Sequence, residues 1–304
     1  MSAKGPYQAS LAVILAGIAW GLFWLPLRRL DELGISGGWA SIGFFLAALP
    51  VILPLAVFRW RHIAEGGLSL AITGAVTGLA FSCYALSLLL TEVVRALLLF
   101  YVTPLWGTLL AWLLLGERLT RRRVAALLLA FAGLVAILGA GGEASLDVNV
   151  NLGDAFGLAS GVLWAYGSLR IYRAPHGGAP EQGSSFFIWA ALFALPILLL
   201  LPAEAAGPPP SLESLWAAAP FAIAVAGLIY LPAISLIFWG ATHLDPGRVG
   251  LLMMGEIVVG VASAAWLTDE PFGLREVLGT AFITGAALVE VVDPGVFGVR
   301  RRDG

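Results

Sequence analysis

Between Arg95 and Glu117 the chain runs 21 residues without a charge. As an α-helix that run crosses a hydrocarbon layer roughly 30 Å thick. It stops at Gly116-Glu117-Arg118-Leu119, and arginines follow at 121 to 123. Each guanidinium costs roughly 2.5–3.5 kcal/mol at mid-membrane on insertion scales, so this end belongs in water. The positive-inside rule puts it in the cytoplasm. The stretch Thr91–Arg123 therefore demands a membrane, and the rest of the chain agrees. Sixty percent of the residues are hydrophobic and 12% charged, against roughly 25% charged in soluble domains. Too little core exists in 304 residues to hide that much apolar surface, and lipid must be the solvent.

Charge and cysteine usage exclude several classes. A net charge of −2 offers no basic field for nucleic acid. The single Cys83 rules out an internal disulfide or a cysteine-built metal cluster. No metal and no cofactor is expected. Lys4 ahead of an apolar run has the look of a signal peptide, but the uncharged run Tyr7–Leu27 is long and further spans follow. It reads as a retained first helix.

The stretch has an echo 153 residues downstream. Arg95 maps to Arg248, Glu117 to Glu270 and Arg122 to Arg275 without a gap. Gly74/Gly227 and Ser82/Ser235 extend the same offset, while Gly17/Gly161 and Trp20/Trp164 match at 144. Pro50 and Pro196 also correspond. Matches that run in order and include charges point to a duplicated half. The halves are residues 1–141 and 153–304, the second ending in a short basic tail, with 142–152 as the loop between them.

About ten spans are expected, near Ser10–Leu27, Trp39–Phe58, Leu68–Leu90, Val93–Leu115, Val124–Gly141, Gly153–Leu169, Ser185–Leu201, Leu215–Ala241, Val249–Leu267 and Phe272–Val292. With the N-terminus inside, thirteen of the 17 lysines and arginines fall on the cytoplasmic side and four on the other. Both termini are then cytoplasmic. The fold class is an all-α polytopic membrane protein. Five spans per half is an odd number, which turns the second half upside down relative to the first. Inverted repeats of this kind are a transporter architecture in which two arrangements exchange and open a central site to alternate sides.

Two five-span halves, with Pro104 in the fourth span, GERLTRRR at 116–123 closing it and Ala130-Phe131-Ala132-Gly133 after it, resemble the EamA-type repeat of the drug/metabolite transporter superfamily. The resemblance covers nearly the whole chain. The second half departs from it: Asp269-Glu270-Pro271-Phe272 replaces Gly-Glu-Arg-Leu, and Ile257 stands where the proline would be. Membership implies movement of amino acids, other metabolites or toxic organic compounds across a bacterial inner membrane, frequently outward. Within the superfamily the chain is most similar to the amino-acid exporter branch that includes aromatic amino-acid efflux proteins.

Candidate site residues follow from what lipid forbids. Glu256 lies inside the ninth span, where a carboxylate is protonated, paired or facing a wet cavity. It reads either as a proton-coupling group or ligand for a substrate amine, or as a neutral carboxyl bonded between helices. Trp20, Trp164, Tyr84 and Tyr101 are candidates to line a substrate cavity, set against the interfacial belt that accounts for Trp39, Trp60 and Trp216. Arg95 and Arg248, near the starts of the fourth and ninth spans, could meet a substrate carboxylate or form gate ion pairs with Glu92 and Asp245. The alternative is that they reach to the interface or tie helix ends together.

An intramembrane enzyme has little to stand on. His62, His176 and His243 fall at loops or helix ends, no His-Glu-x-x-His occurs, and Cys83 has no base beside it. The Asn-Leu-Gly-Asp at 151–154 fails the Gly-x-Gly-Asp pattern. No phosphate-binding loop exists for ATP. The expected activity is export of amino acids, including aromatic ones, or of related amphipathic metabolites by alternating access. Organic-cation efflux and passive facilitation are the alternatives. The partners are a small-molecule substrate and the bilayer, and a duplicated core needs no second copy, so a monomer is expected.

Overall fold

The computed structural model describes residues 4–115, 121–138, 150–173, 177–241, 252–253, 255–268 and 273–291. Residues 116–120 with Glu117, 139–149, 242–251 with Asp245 and Arg248, 269–272 and 292–304 lie outside the described residues. All regular elements among the described residues are helical. Five helical stretches are long and apolar enough to cross a membrane: Tyr7–Glu32, Gly38–Phe58, Trp60–Leu90, Ala179–Leu200 and Leu212–Gly240. Val124–Gly133 and Gly255–Leu267 are shorter apolar helices.

Several expected spans are interrupted, and the sequence gives the reasons. Helices α1 (Lys4–Gly21) and α2 (Trp24–Glu32) are separated by a turn at Leu22-Phe23. Pro26 offers no N–H to the Leu22 carbonyl and its ring crowds it, so that carbonyl accepts from Leu25 instead, at 3.1 Å. After α3 (Gly38–Phe58), α4 (Trp60–Leu90) bends at Gly67, whose φ of 55° and ψ of −149° leave the helical region. The fourth expected span is two pieces, α5 (Val93–Phe100) and α6 (Thr103–Leu115), parted at Tyr101-Val102. Pro104 cannot donate to the Phe100 carbonyl, and the Thr103 hydroxyl takes its place.

Helices α7 (Arg121–Leu138), α8 (Leu152–Arg173) and α9 (Ala179–Leu200) follow. The proline-rich connection holds one turn, α10 (Ala203–Ala206), before α11 (Leu212–Val225). A π-helical segment, Ala226–Tyr230, runs without a break into α12 (Leu231–Ala241). It sits directly ahead of Pro232, where a wider turn eases the clash with the preceding carbonyls. The chain closes with α13 (Gly255–Leu267) and α14 (Leu274–Val291).

Glycine contacts reveal how the helices run. Gly153, Gly157 and Gly167 of α8 face Leu90, Ser87 and Thr77 of α4 in turn, so these two are antiparallel. Gly74 and Gly78 of α4 meet Ser185 and Ala190 of α9, a parallel pair. Gly17 and Gly21 of α1 meet Met253 and Gly260, so α1 and α13 are parallel. Helix α12 runs against α1, with Tyr230 beside Ala19 and Gly240 beside Ala9. Gly157 and Gly161 reach Leu99 and Thr103, which aligns α8 with α5 and α6. Helices α7 and α14 pack on each other.

All of these approaches except that of Gly17 are too close for a Cβ. A Cβ on Gly161 would lie 2.9 Å from the Phe100 carbonyl oxygen. Gly161→Leu is therefore expected to lower stability by roughly 1–3 kcal/mol or more, and to reduce folded yield and transport together. Gly107→Ala, where an added Cβ meets nothing within 4 Å, is the control. Equal thermal unfolding of the two variants in detergent would contradict the packing account.

Candidate functional site

Glu256 occupies the first turn of α13 and is 3% exposed. Its burial begins with the glycines of α1. A Cβ on Gly21 would stand 2.7 Å from the Glu256 carbonyl oxygen, so only a bare backbone lets α1 seat against that turn. Three tyrosines surround the carboxylate from three other elements. The Tyr84 hydroxyl of α4 donates to Glu256 Oε1 at 3.5 Å, the outer limit of a hydrogen bond. The Tyr101 hydroxyl also reaches the carboxylate, and it donates to the Met253 carbonyl at 3.2 Å. Tyr230 donates to the Ala19 carbonyl at 3.0 Å.

Two backbone irregularities aim these side chains. Tyr101 stands in the break between α5 and α6, and Tyr230 closes the π segment. Non-ideal turns of this sort are common where a helix serves a site. Around them lies one connected aromatic cluster. Trp20 meets Phe81 edge to face at 4.6 Å and Tyr230 at 5.1 Å between centroids. Tyr84 meets Phe100 at 4.8 Å. Trp164 touches Phe100 and Phe186, and Trp20 also touches Phe186, each at 6.4 Å. The tryptophans matched between the halves thus converge on one phenylalanine. The Trp20 Nε1 is buried with no hydrogen-bond partner.

Polar clasps hold both ends of the antiparallel α4/α8 pair. At one end, just past the close of α4, Arg95 of α5 grips Asp154 of α8 with two bonds, Nε to Oδ1 and Nη2 to Oδ2, both 2.7 Å. Asp154 is fully buried. It also accepts from the Thr91 hydroxyl at 3.1 Å and from the Asn151 amide at 2.9 Å, while the Asn151 side chain accepts from the Asp154 amide at 2.9 Å. That exchange is a reciprocal cap on α8. At the other end Arg170 donates to the Thr73 hydroxyl at 3.1 Å. Nearby, Arg59 pairs with Glu181, which is 1% exposed.

The structure brings Trp20, Tyr84, Tyr101 and Glu256 into one buried cluster, with Trp164 at its edge. Arg95 stands apart at a helix end, and Arg248 lies outside the described residues. The Asp154 partner of Arg95 went unrecognised in the sequence. The readable signal was Asn151-x-x-Asp154 just ahead of an apolar helix, a capping spacing. Arg59 and Glu181 left no such local mark, being 122 positions apart. Of the three tryptophans assigned to the belt, Trp60 and Trp216 are exposed, whereas Trp39 is half-buried and packs against the core. Among the described residues no group of three or more His, Cys, Asp or Glu could hold a metal.

Comparison with known proteins places this arrangement. The model of the EamA-like transporter family matches twice, over residues 8–139 and 151–291. A protein of Streptantibioticus cattleyicolor named "Probable terminal-alkyne amino-acid exporter" is 30% identical over 301 residues, covering 93% of each chain. A protein of known crystal structure, 21% identical, superposes over 93% of this chain and 96% of its own with a TM-score of 0.54, a likeness of fold. Two family matches that together take in most of the sequence, and a relative similar from end to end, establish that the chain is a multi-pass membrane protein belonging to the EamA-like transporter family.

Proposed function

We propose that the protein exports amino acids or closely related amphipathic amines, binding them at the Glu256 cluster and releasing them by alternating access. The observation that carries this reading is a buried carboxylate ringed by tyrosine hydroxyls where helices of both halves meet. An ammonium group is the natural partner of such a carboxylate, and the surrounding rings suit an apolar or aromatic side chain. The name of the Streptantibioticus cattleyicolor relative speaks for the same substrate class.

In this reading the chain crosses the bacterial inner membrane ten times as two inverted halves with both termini in the cytoplasm, and works as a monomer. The helix directions support the inversion: α1 runs against α12, α12 against α9, α9 along α4 and α4 against α8, which leaves α1 and its repeat counterpart α8 pointing in opposite directions. The Arg95–Asp154 clasp closes one side, and the Arg59–Glu181 pair closes the other. Alternation requires each to loosen in turn.

Counterflow into proteoliposomes tests the function. Preloaded phenylalanine is expected to drive uptake of labelled phenylalanine and methionine, with threonine slower. Exchange of an organic cation alone, with no amino-acid exchange, would overturn the reading in favour of drug efflux. Orientation is tested separately on a Cys83→Ala background. Cysteines replacing Arg122 and Arg275 should label from opposite sides of the membrane, and labelling from one side would defeat the inverted arrangement.

A further inference from the structure

Trp20 carries a polar atom with no task in the folded chain. Its indole Nε1 is buried and unpartnered in a residue only 5% exposed. A buried donor left without an acceptor is costly, and most such groups in folded proteins are satisfied. Elsewhere in the same helical stretch the chain does satisfy an indole: Trp24 donates to the Ser263 hydroxyl at 3.1 Å. Trp20 sits between Gly17 and Gly21, the two residues that seat α1 on the Glu256 turn. Its ring touches Tyr230 directly and reaches Tyr84 through Phe81.

We propose that Trp20 reads an acceptor oxygen of the cargo, its indole N–H meeting the substrate carboxylate while Glu256, with Tyr84 and Tyr101, takes the ammonium. The proposal rests on the exporter reading above and sharpens it. The site would then select substrates bearing both an amine and an acceptor oxygen over bare hydrophobic amines. A site built to hydrogen-bond a group discriminates strongly against analogues lacking it, because its own polar atom is then left bare. Phenylalanine and phenethylamine, which differ only in the carboxylate, are the appropriate pair.

The test is competition against labelled phenylalanine counterflow in proteoliposomes. Wild-type protein is expected to bind phenylalanine at least about tenfold more tightly than phenethylamine, the equivalent of one hydrogen bond. Trp20→Phe keeps an aromatic ring and deletes the donor. It should weaken phenylalanine about tenfold and leave phenethylamine unchanged, erasing the preference. If both ligands weaken alike, or neither does, the indole N–H is satisfied by the neighbouring ring faces and the assignment fails while the exporter reading survives. Should the variant not fold, the wild-type ratio decides: equal competition by the two ligands overturns the assignment. Wild-type protein that exchanges none of the amino acids overturns both readings.

Discussion

Glu256→Gln is expected to raise the half-saturation for amine-bearing substrates by about 10- to 100-fold while the protein stays folded. The substitution conserves shape and keeps a carbonyl oxygen for the Tyr84 hydroxyl, so the buried contacts around α13 persist. What it deletes is a charge-assisted hydrogen bond to the substrate ammonium, worth about 1.5–3 kcal/mol. If the same carboxylate also carries the coupling proton, the variant exchanges substrate without responding to an imposed pH gradient. Half-saturation measured by counterflow, with and without that gradient, separates the two roles. Unchanged kinetics in both conditions would reduce Glu256 to a structural carboxyl.

The second large effect concerns the Arg95–Asp154 clasp between α5 and α8. Asp154 is fully buried and Arg95 is its cationic partner. Arg95→Ala strands the Asp154 charge and is expected to cost roughly 3–5 kcal/mol of stability. The Thr91 and Asn151 bonds to Asp154 remain, which places the loss toward the lower end. A combined Arg95→Leu and Asp154→Leu variant removes both charges and should recover much of that loss, since apolar replacements of buried pairs are often neutral. Thermal unfolding of the purified proteins in detergent measures both. A single variant as stable as wild type would mean the pair contributes nothing to closing this end. If the clasp opens during each cycle, the double variant will be stable and yet slow in transport.

The sequence made the apolar spans legible because lipid imposes a simple rule: every charge must sit at an end or in the interior. That rule picked out Glu256 from its place within a span, and the paired offsets singled out Trp20 with Trp164. It could not place the breaks at Leu22-Phe23 and Tyr101-Val102, since many membrane helices carry proline without breaking. Nor could it find the π segment, which depends on how α11 and α12 lodge against α3 and α1. Asp154 was overlooked for a different reason. It belongs to a capping pattern, whose spacing marks the start of a helix and says nothing of the arginine 59 residues away that pairs with it. Tyr230 was visible as one aromatic residue among several, and only the fold reveals that its hydroxyl turns inward to α1.

A shift of 153 residues that carries Arg95 onto Arg248 also carries Thr103 onto Glu256. Thr103 stands 3.2 Å from where a Cβ on Gly161 would be, and Glu256 flanks Gly17, the glycine matched to Gly161, at 3.7 Å. One copy of the position therefore holds a carboxyl group, and the other holds a hydroxyl spent on its own backbone. Doubling the scaffold did not double the acid. On the proposed mechanism the carboxyl that meets the cargo's amine therefore comes from one half of the molecule alone.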